Sequence, residues 1–344
     1  MRIHRPNLKT AAVIGGAVAG AAIVGSVAAV AATVFAVRAL RSDPVPEGAV
    51  VVITGGSRGL GFAIASRFAR RSVRLVLAAR NRAELEEAQA SLLALHQNLA
   101  PGDFYLVVAD LSEPSECRRL VAEAIAHFGR IDILVNNAGI IEVGPIEAQT
   151  TEAFERALKI NFLAALHTTW AALPHLRTQV PLNGWDRRAA IVNIASVGGK
   201  LAMPHMLPYS TSKFAMVGFS EGLHAELRQK GIRVTTVCPG LMRTGGENHA
   251  HFVGNVEAEK KWFNFAAKTP GLATSVRHAA RRIYSAVAAG RAEITITPQA
   301  WIAARKAGLM PGAVQFGASL VNHYILPSAP GGLDPSIAAE STED

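Results

Sequence analysis

Two cysteines, Cys117 and Cys238, are all that 344 residues contain. A pair so widely separated excludes a disulfide framework, and no Cys/His spacing matches a zinc site, so no metal ligands are assigned. Cys238 closes the apolar run from Val234 and reads as a small buried hydrophobe, which suits a reducing compartment. His205, His249 and His251 also lack metal-ligand spacing. A dense basic block is missing as well. The net charge is +9, yet lysine and arginine are scattered and not interleaved with aromatics, so there is no nucleic-acid footprint. Internal repeats are absent.

What the chain has is apolar residues, half of the total, enough for one sizeable core. The first such stretch is 28 residues without a charge, Thr10 to Val37, flanked by Arg2, Arg5 and Lys9 and then by Arg38 and Arg41. It exceeds the roughly 20 residues that a membrane-spanning helix needs. It is also longer than a signal-peptide core, and a helix apolar on all faces for so many turns is an unusual core element. The favoured reading is an anchor over residues 1–42, whose orientation the charges on both sides leave open. Asp43 to Gly48 reads as a linker. Removing the tails leaves about 280 residues, the size of one large α/β domain.

From Ala49 the chain alternates short β-branched runs with amphipathic ones. Strands are expected at Ala49–Thr54, Arg74–Ala78, Phe104–Ala109, Ile131–Val135, Ala190–Ala195, Ile232–Cys238 and Glu293–Thr297. Helices are expected between them, over Phe62–Ala69, Ala83–Leu99, Ser112–Phe128, Thr151–Leu173, from Tyr209 onward, and over Ser275–Ala289. Such alternation predicts a single doubly wound, Rossmann-type parallel α/β sheet with right-handed crossovers, here preceded by a transmembrane helix. Residues 241–268 are less regular and read as a mobile flap over a pocket. Gln299–Leu326 leans apolar but is broken by Arg305, Lys306 and Pro311. It suits either a membrane interface or an extra helix packed on the core. Residues 328–344 read as a disordered tail.

Chemistry gathers at strand ends. Thr54-Gly55-Gly56-Ser57-Arg58-Gly59-Leu60-Gly61 joins a strand to a helix, where glycines let the backbone approach a pyrophosphate at the helix N-terminus. The second strand lacks the usual acid at its end and has Ala79 and Arg80 instead. With Arg58 in the glycine turn, two guanidinium groups suit a 2′-phosphate and favour NADP(H) over NAD(H). Asn161 interrupts a helix with an amide, implying a task or a kink. Tyr209 and Lys213 are one helical turn apart. An ammonium beside a phenol favours the phenolate, lowering its pKa toward neutral and enabling proton exchange with a carbonyl or alcohol oxygen. Ser196 could hold the same oxygen.

Together these residues resemble the classical subgroup of the short-chain dehydrogenase/reductase family over residues 49–298. The resemblance rests on Thr54-Gly55-x-x-x-Gly59-x-Gly61, Asp110, Asn136-Asn137-Ala138-Gly139, Asn161, Ser196, Tyr209-x-x-x-Lys213 and Pro239-Gly240, in the family's order. It implies that Gly55, Gly59 and Gly61, with Ser57 and Leu60, shape the cofactor turn. It also implies that Asp110 and Leu111 meet the adenine, that Asn137, with Ala138 and Gly139, lies by the adenosine ribose, and that Thr244, past Pro239-Gly240, meets the carboxamide. Tyr209 would be the general acid/base, Lys213 its tuner and a ribose ligand, Ser196 the carbonyl holder, and Asn161 the holder of a relay water. The implied function is an NADP(H)-dependent oxidoreductase interconverting a carbonyl and an alcohol. The terminal extensions resemble those of membrane-associated members, which implies a lipophilic substrate and a catalytic domain facing the cytoplasm. A non-catalytic NADP(H) sensor or scaffold, and the same chemistry on a polar metabolite, stand as alternatives. A homodimer is compatible with the resemblance.

Overall fold

A computed structural model describes residues 45–243, 250–269 and 273–328. The expected strands form β1 (Val50–Thr54), β2 (Arg74–Ala79), β3 (Phe104–Val108), β4 (Ile133–Asn136), β5 (Ala189–Ile194), β6 (Ile232–Pro239) and β7 (Glu293–Ile296). They make one parallel sheet in the order β3-β2-β1-β4-β5-β6-β7. The order reverses between β1 and β4, which opens a crevice at the carboxyl ends of the strands.

A parallel strand covered on both faces has to be apolar throughout. Every residue of β1, Val-Val-Val-Ile-Thr, is buried accordingly. Alternation then sorts the side chains by face. Val51 and Ile53 join Ile64 and Phe68 of α1 (Gly59–Ala69) and Leu85 of α2 (Arg82–Leu95) in one core layer. Val50 and Val52 join Leu120 of α3 (Pro114–Phe128) in the other. On that second face lie α4 (Thr151–Leu158), α5 (Ala164–Thr178) and α6 (Leu207–Leu227), the last two contributing Leu176 and Leu223.

Four expectations change. The long helix expected from Thr151 is continuous to Thr178 but contains a π-helical turn at Lys159–Leu163. The irregular stretch expected as a flap contains a helix, α7 (Val256–Lys268), which the Asn255 side chain caps by accepting from Ala258 N at 3.2 Å. It is pinned by buried Glu259, which meets His205 Nδ1 at 2.7 Å, and by Phe263 packed on Phe252 and Val143. The Glu259 carboxylate, which looks solvated in sequence, is here turned inward. The domain also begins before the expected linker ends, because Val45 is fully buried in the core.

The fourth change lies after α8 (Val276–Ala288) and β7. The apolar-leaning extension forms two helices, α9 (Pro298–Leu309) and α10 (Pro311–Tyr324), rather than one helix sunk in the core. Only Ala300 of α9 is buried, and no residue of α10 is. The expected membrane anchor, Thr244, His249 and residues 329–344 lie outside the described residues. Among the described residues no helix is long and apolar enough to cross a membrane.

Candidate active site

The crevice holds a groove of about 1030 Å³ that runs from Arg80 and Asp110 past the glycine turn to Gly139 and Ile141. Its floor depends on three glycines. Gly55 and Gly59 adopt φ of +63° and +56°, a region that costs other residues steric strain. A Cβ on Gly61 would sit 2.0 Å from the Gly55 carbonyl oxygen, so only glycine lets the helix start that close to the strand. The turn is locked from across the sheet. Thr54 Oγ1 accepts from Asn137 N at 2.9 Å and Ala138 N at 3.0 Å, while Asn137 Nδ2 donates to the Thr54 and Gly55 carbonyls. A backbone cradle ending at a helix N-terminus fits a dinucleotide pyrophosphate.

At the Arg80 and Asp110 end of the groove, Leu111 is buried, and Asp110 turns the chain by accepting from Ser112 N at 3.0 Å. Arg58 and Arg80 both line the groove. An acid is present there after all, supplied by α2 instead of the end of β2. Glu84 accepts from Ser57 Oγ at 3.0 Å and meets Arg58 Nη1 at 3.3 Å.

Beyond Gly139 the structure brings the four candidate proton-handling residues together. Ser196, just past β5, accepts from Gly198 N at 3.0 Å, and a Cβ on Gly198 would lie 3.4 Å from Ser196 Oγ and 3.3 Å from the Tyr209 ring, so the two groups flank that glycine. Lys213 is buried and donates to the Ile194 carbonyl at 2.9 Å. Asn161 is fully buried inside the π turn. Its Oδ1 accepts from Ile140 N at 2.7 Å, and its Nδ2 donates to Ile140 O at 3.1 Å and to Ser212 Oγ at 2.9 Å. The wider turn displaces the amide from ordinary helical register and aims it across to the β4 exit, a recurrent use of π bulges. A Cβ on Gly139 would press on Asn161 Oδ1 at 2.9 Å. Pro239 ends β6, and Gly240 packs against Thr297 and Ala300 at the base of α9.

The electrostatics differ from expectation. Lys213 does not draw the Tyr209 pKa toward neutral in this arrangement. Burial pushes the phenol above its usual 10, opposed by the neighbouring Ser196 hydroxyl. The Lys213 ammonium lies 5.7 Å from the Tyr209 ring centre and faces Ile194 O instead. Burial also lowers the Lys213 pKa from 10.5 to about 8.

Sequence reasoning missed several members. Ser212 links Asn161 to the backbone of Tyr209, donating to Tyr209 O at 2.7 Å. It stands between Tyr209 and Lys213 in plain view, but a helical serine gives no hint of its partner. Beneath the site, Asn136 donates to Asn193 at 2.8 Å, Asn193 to Ser220 at 3.0 Å, and Thr236 to Ser220 at 2.8 Å. This buried polar chain ties β4, β5, β6 and α6 together.

A dinucleotide cradle at the sheet's switch point, with a tyrosine, a serine and a lysine at its far end, defines a nicotinamide-dependent oxidoreductase class. The chain belongs to the short-chain dehydrogenase/reductase family: the family model described as short chain dehydrogenase matches residues 49–251. It is 30% identical over 258 residues to dehydrogenase/reductase SDR family member 7B of Mus musculus, covering 75% of this chain and 76% of that one. It is 36% identical over 211 residues to 11-beta-hydroxysteroid dehydrogenase 1A of Arabidopsis thaliana, covering 61% of this chain and 57% of that one. The chain thus spans about three fifths of the length of several curated relatives. Among solved structures, a short-chain dehydrogenase/reductase of unknown function from Caenorhabditis elegans, crystallised with cofactor, matches with a TM-score of 0.63 at 27% identity, covering 74% of this chain and 96% of that one.

Proposed function

We propose that this chain is an NADP(H)-dependent oxidoreductase that interconverts a carbonyl and an alcohol on a lipophilic substrate at a membrane. The observation that carries the reading is the grouping of Tyr209, Ser196, Lys213 and Asn161 just beyond Gly139, which lines the dinucleotide groove. When bound, the nicotinamide supplies or accepts the hydride. The residues of the chain supply position and the proton.

In the reducing direction the Tyr209 phenol gives its proton to the carbonyl oxygen, and Ser196 holds that oxygen by a hydrogen bond. A phenol pushed above its usual pKa stays protonated at neutral pH, as a donor must. Lys213, with its pKa near 8, is charged at neutral pH and lies where a ribose hydroxyl and the departing phenolate charge would be met. Asn161 orients the loop at Ile140 and holds the relay water beside Lys213. Gly55, Gly59 and Gly61 with Ser57 and Leu60 cradle the pyrophosphate, Asp110 and Leu111 flank the adenine, and Asn137, Ala138 and Gly139 follow the ribose. Pro239 and Gly240 close the nicotinamide end, and Thr244 is assigned to the carboxamide on the motif alone. Arg58 and Arg80 are the guanidinium pair for a 2′-phosphate.

The lipophilic reading is supported by the name hydroxysteroid dehydrogenase among the relatives and by both chain ends. Residues 1–42 would anchor the chain with the catalytic domain, residues 49–298, facing the cytoplasm. The extension 299–327 would lie in the interface, its apolar faces being uncovered by the domain. The test is NADPH oxidation by the detergent-solubilised full chain, with NADH in parallel, over lipophilic and polar carbonyls. Turnover with NADPH is expected, falling by at least about a thousandfold in Tyr209→Phe while NADP+ binding persists. Binding without turnover of any carbonyl or alcohol would mark a non-catalytic sensor instead. Good turnover of polar carbonyls beside poor turnover of lipophilic ones would remove the lipophilic assignment.

A further inference from the structure

We infer that Glu84 sets how strongly this chain discriminates between NADP(H) and NAD(H), by competing with a 2′-phosphate for Arg58. The inference rests on the proposed NADP(H) reading and concerns a residue that the second strand's end does not predict.

Glu84 reaches the groove through the local structure of α2. Asn81 caps that helix, its Oδ1 accepting from Glu84 N at 3.3 Å. The carboxylate therefore stands in the first turn, where a negative charge is favoured by the helix dipole. From there it crosses to the glycine turn and takes both side chains that face it, Ser57 at 3.0 Å and Arg58 at 3.3 Å. The pair remains reachable by a ligand, with 48% of Arg58 and 36% of Glu84 side chains exposed. Glu84, Arg58 and Arg80 all line the dinucleotide groove.

Arg58 meets Glu84 through Nη1 alone, at 3.3 Å, so its other N–H donors stay open to a second anion. A 2′-phosphate arriving at Arg58 therefore either takes Nη1 from the carboxylate or shares the guanidinium with it as a second, repelling anion. NAD(H) carries a hydroxyl at this position, meets no such repulsion, and can leave the Glu84–Arg58 pair in place. Glu84 thus taxes the phosphorylated cofactor alone. The preference for NADP(H) that Arg58 and Arg80 create is held below what they could reach.

The experiment is calorimetric titration of the detergent-solubilised full chain with NADP+ and with NAD+, at low and high salt. Glu84→Gln keeps the size and helical position and removes the charge. It is expected to tighten NADP+ binding about tenfold while NAD+ changes by less than about twofold, and the gain should shrink at high salt. Glu84→Lys should shift the ratio further in the same direction. In an Arg58→Gln background the Glu84→Gln gain should fall by more than half, because the contested group is gone. The inference is overturned if neither substitution raises the NADP+ to NAD+ affinity ratio. It is equally overturned if Glu84→Gln weakens NAD+ and leaves NADP+ alone, which would make Glu84 a reader of the ribose hydroxyl. The wild-type ratio answers a separate question: a chain that binds NAD+ more tightly overturns the NADP(H) reading, whatever the substitutions do to the ratio.

Discussion

The centre of the site and the C-terminal helix pair use hydrophobic surroundings in opposite ways. Around Lys213 and Asn161 the protein buries polar groups and matches nearly every one with a partner. Along α9 and α10 it does the reverse and leaves large apolar groups uncovered. Leu309 is 81% exposed, Tyr324 77% and Phe316 65%. Among the described residues, more than half of the exposed large apolar side chains lie between 301 and 325. The centre is stabilised by completeness within the chain, since an unpaired buried polar group costs its full desolvation. Among the described residues nothing covers the apolar side chains of the helix pair, a patch of the kind that marks an interaction surface.

The sharpest way to break the completeness of the centre is Asn161→Ala. It strips the Ile140 N–H and carbonyl and the Ser212 hydroxyl of their shared partner. A loss of about 1–3 kcal/mol in unfolding free energy is expected, with turnover down about a hundredfold as the Ile140 loop and Ser212 lose register. Denaturant unfolding and single-turnover kinetics would check both. Unchanged turnover in a stably folded variant would remove Asn161 from the proton relay.

Lys213→Met tests the one charge at the centre that burial opposes. The unfolded ammonium titrates near 10.5 and the folded one near 8, so between those values the unfolded chain binds more protons. Wild-type stability should rise with pH across that window and carry the full penalty below pH 8. The penalty is up to about 3 kcal/mol, offset by about 1 kcal/mol for the bond to Ile194 O. The variant should therefore be the more stable protein at pH 7, lose that advantage by pH 10.5, and be nearly inactive throughout. Melts at pH 7, 8.5 and 10.5 would show it. A stability difference that does not vary with pH would mean that Lys213 is not strained by burial. For the same reason, carbonyl reduction by the wild type should fall as pH rises through about 8, where the ammonium loses its charge.

What could be read beforehand follows the same division. Strands covered on both faces have to be apolar runs, so β1 and β6 announce themselves. The glycine turn and the Tyr209/Lys213 pair are local, set by neighbours in sequence. What escaped reading depends on packing between distant segments. Asn161 signals only a disturbance, and the π turn that gives it meaning needs Ile140 and Ser212, 21 and 51 residues away. Glu84 reaches Arg58 across 26 residues because α1 and α2 lie side by side. Glu259 reads as a solvated helix charge until His205, 54 residues earlier, is folded against it. The Tyr209 pKa followed burial more than charge, and burial is not a property of spacing.

The smallest expected effect concerns the helix pair and sharpens the contrast with the core. Leu309→Ser and Phe316→Ser remove exposed apolar groups, so each should change the unfolding free energy by less than about 0.5 kcal/mol. Leu134→Ala, at a fully buried position of β4, should cost about 2–5 kcal/mol. The same exposed substitutions should nonetheless matter once a bilayer is present. Residues 298–328 include no aspartate or glutamate, and Arg305 lies 5.1 Å over the Trp301 ring. Aromatic and basic groups are thereby placed together, as at a headgroup interface. In vesicles containing brominated lipid, fluorescence of the full chain should be quenched in a way that Trp301→Phe largely removes and Trp170→Phe does not. Quenching that ignores Trp301 would detach α9 from the membrane. A fall in unfolding free energy of more than 1 kcal/mol for Leu309→Ser without lipid would mean that a protein surface, such as a second copy of the chain, covers it.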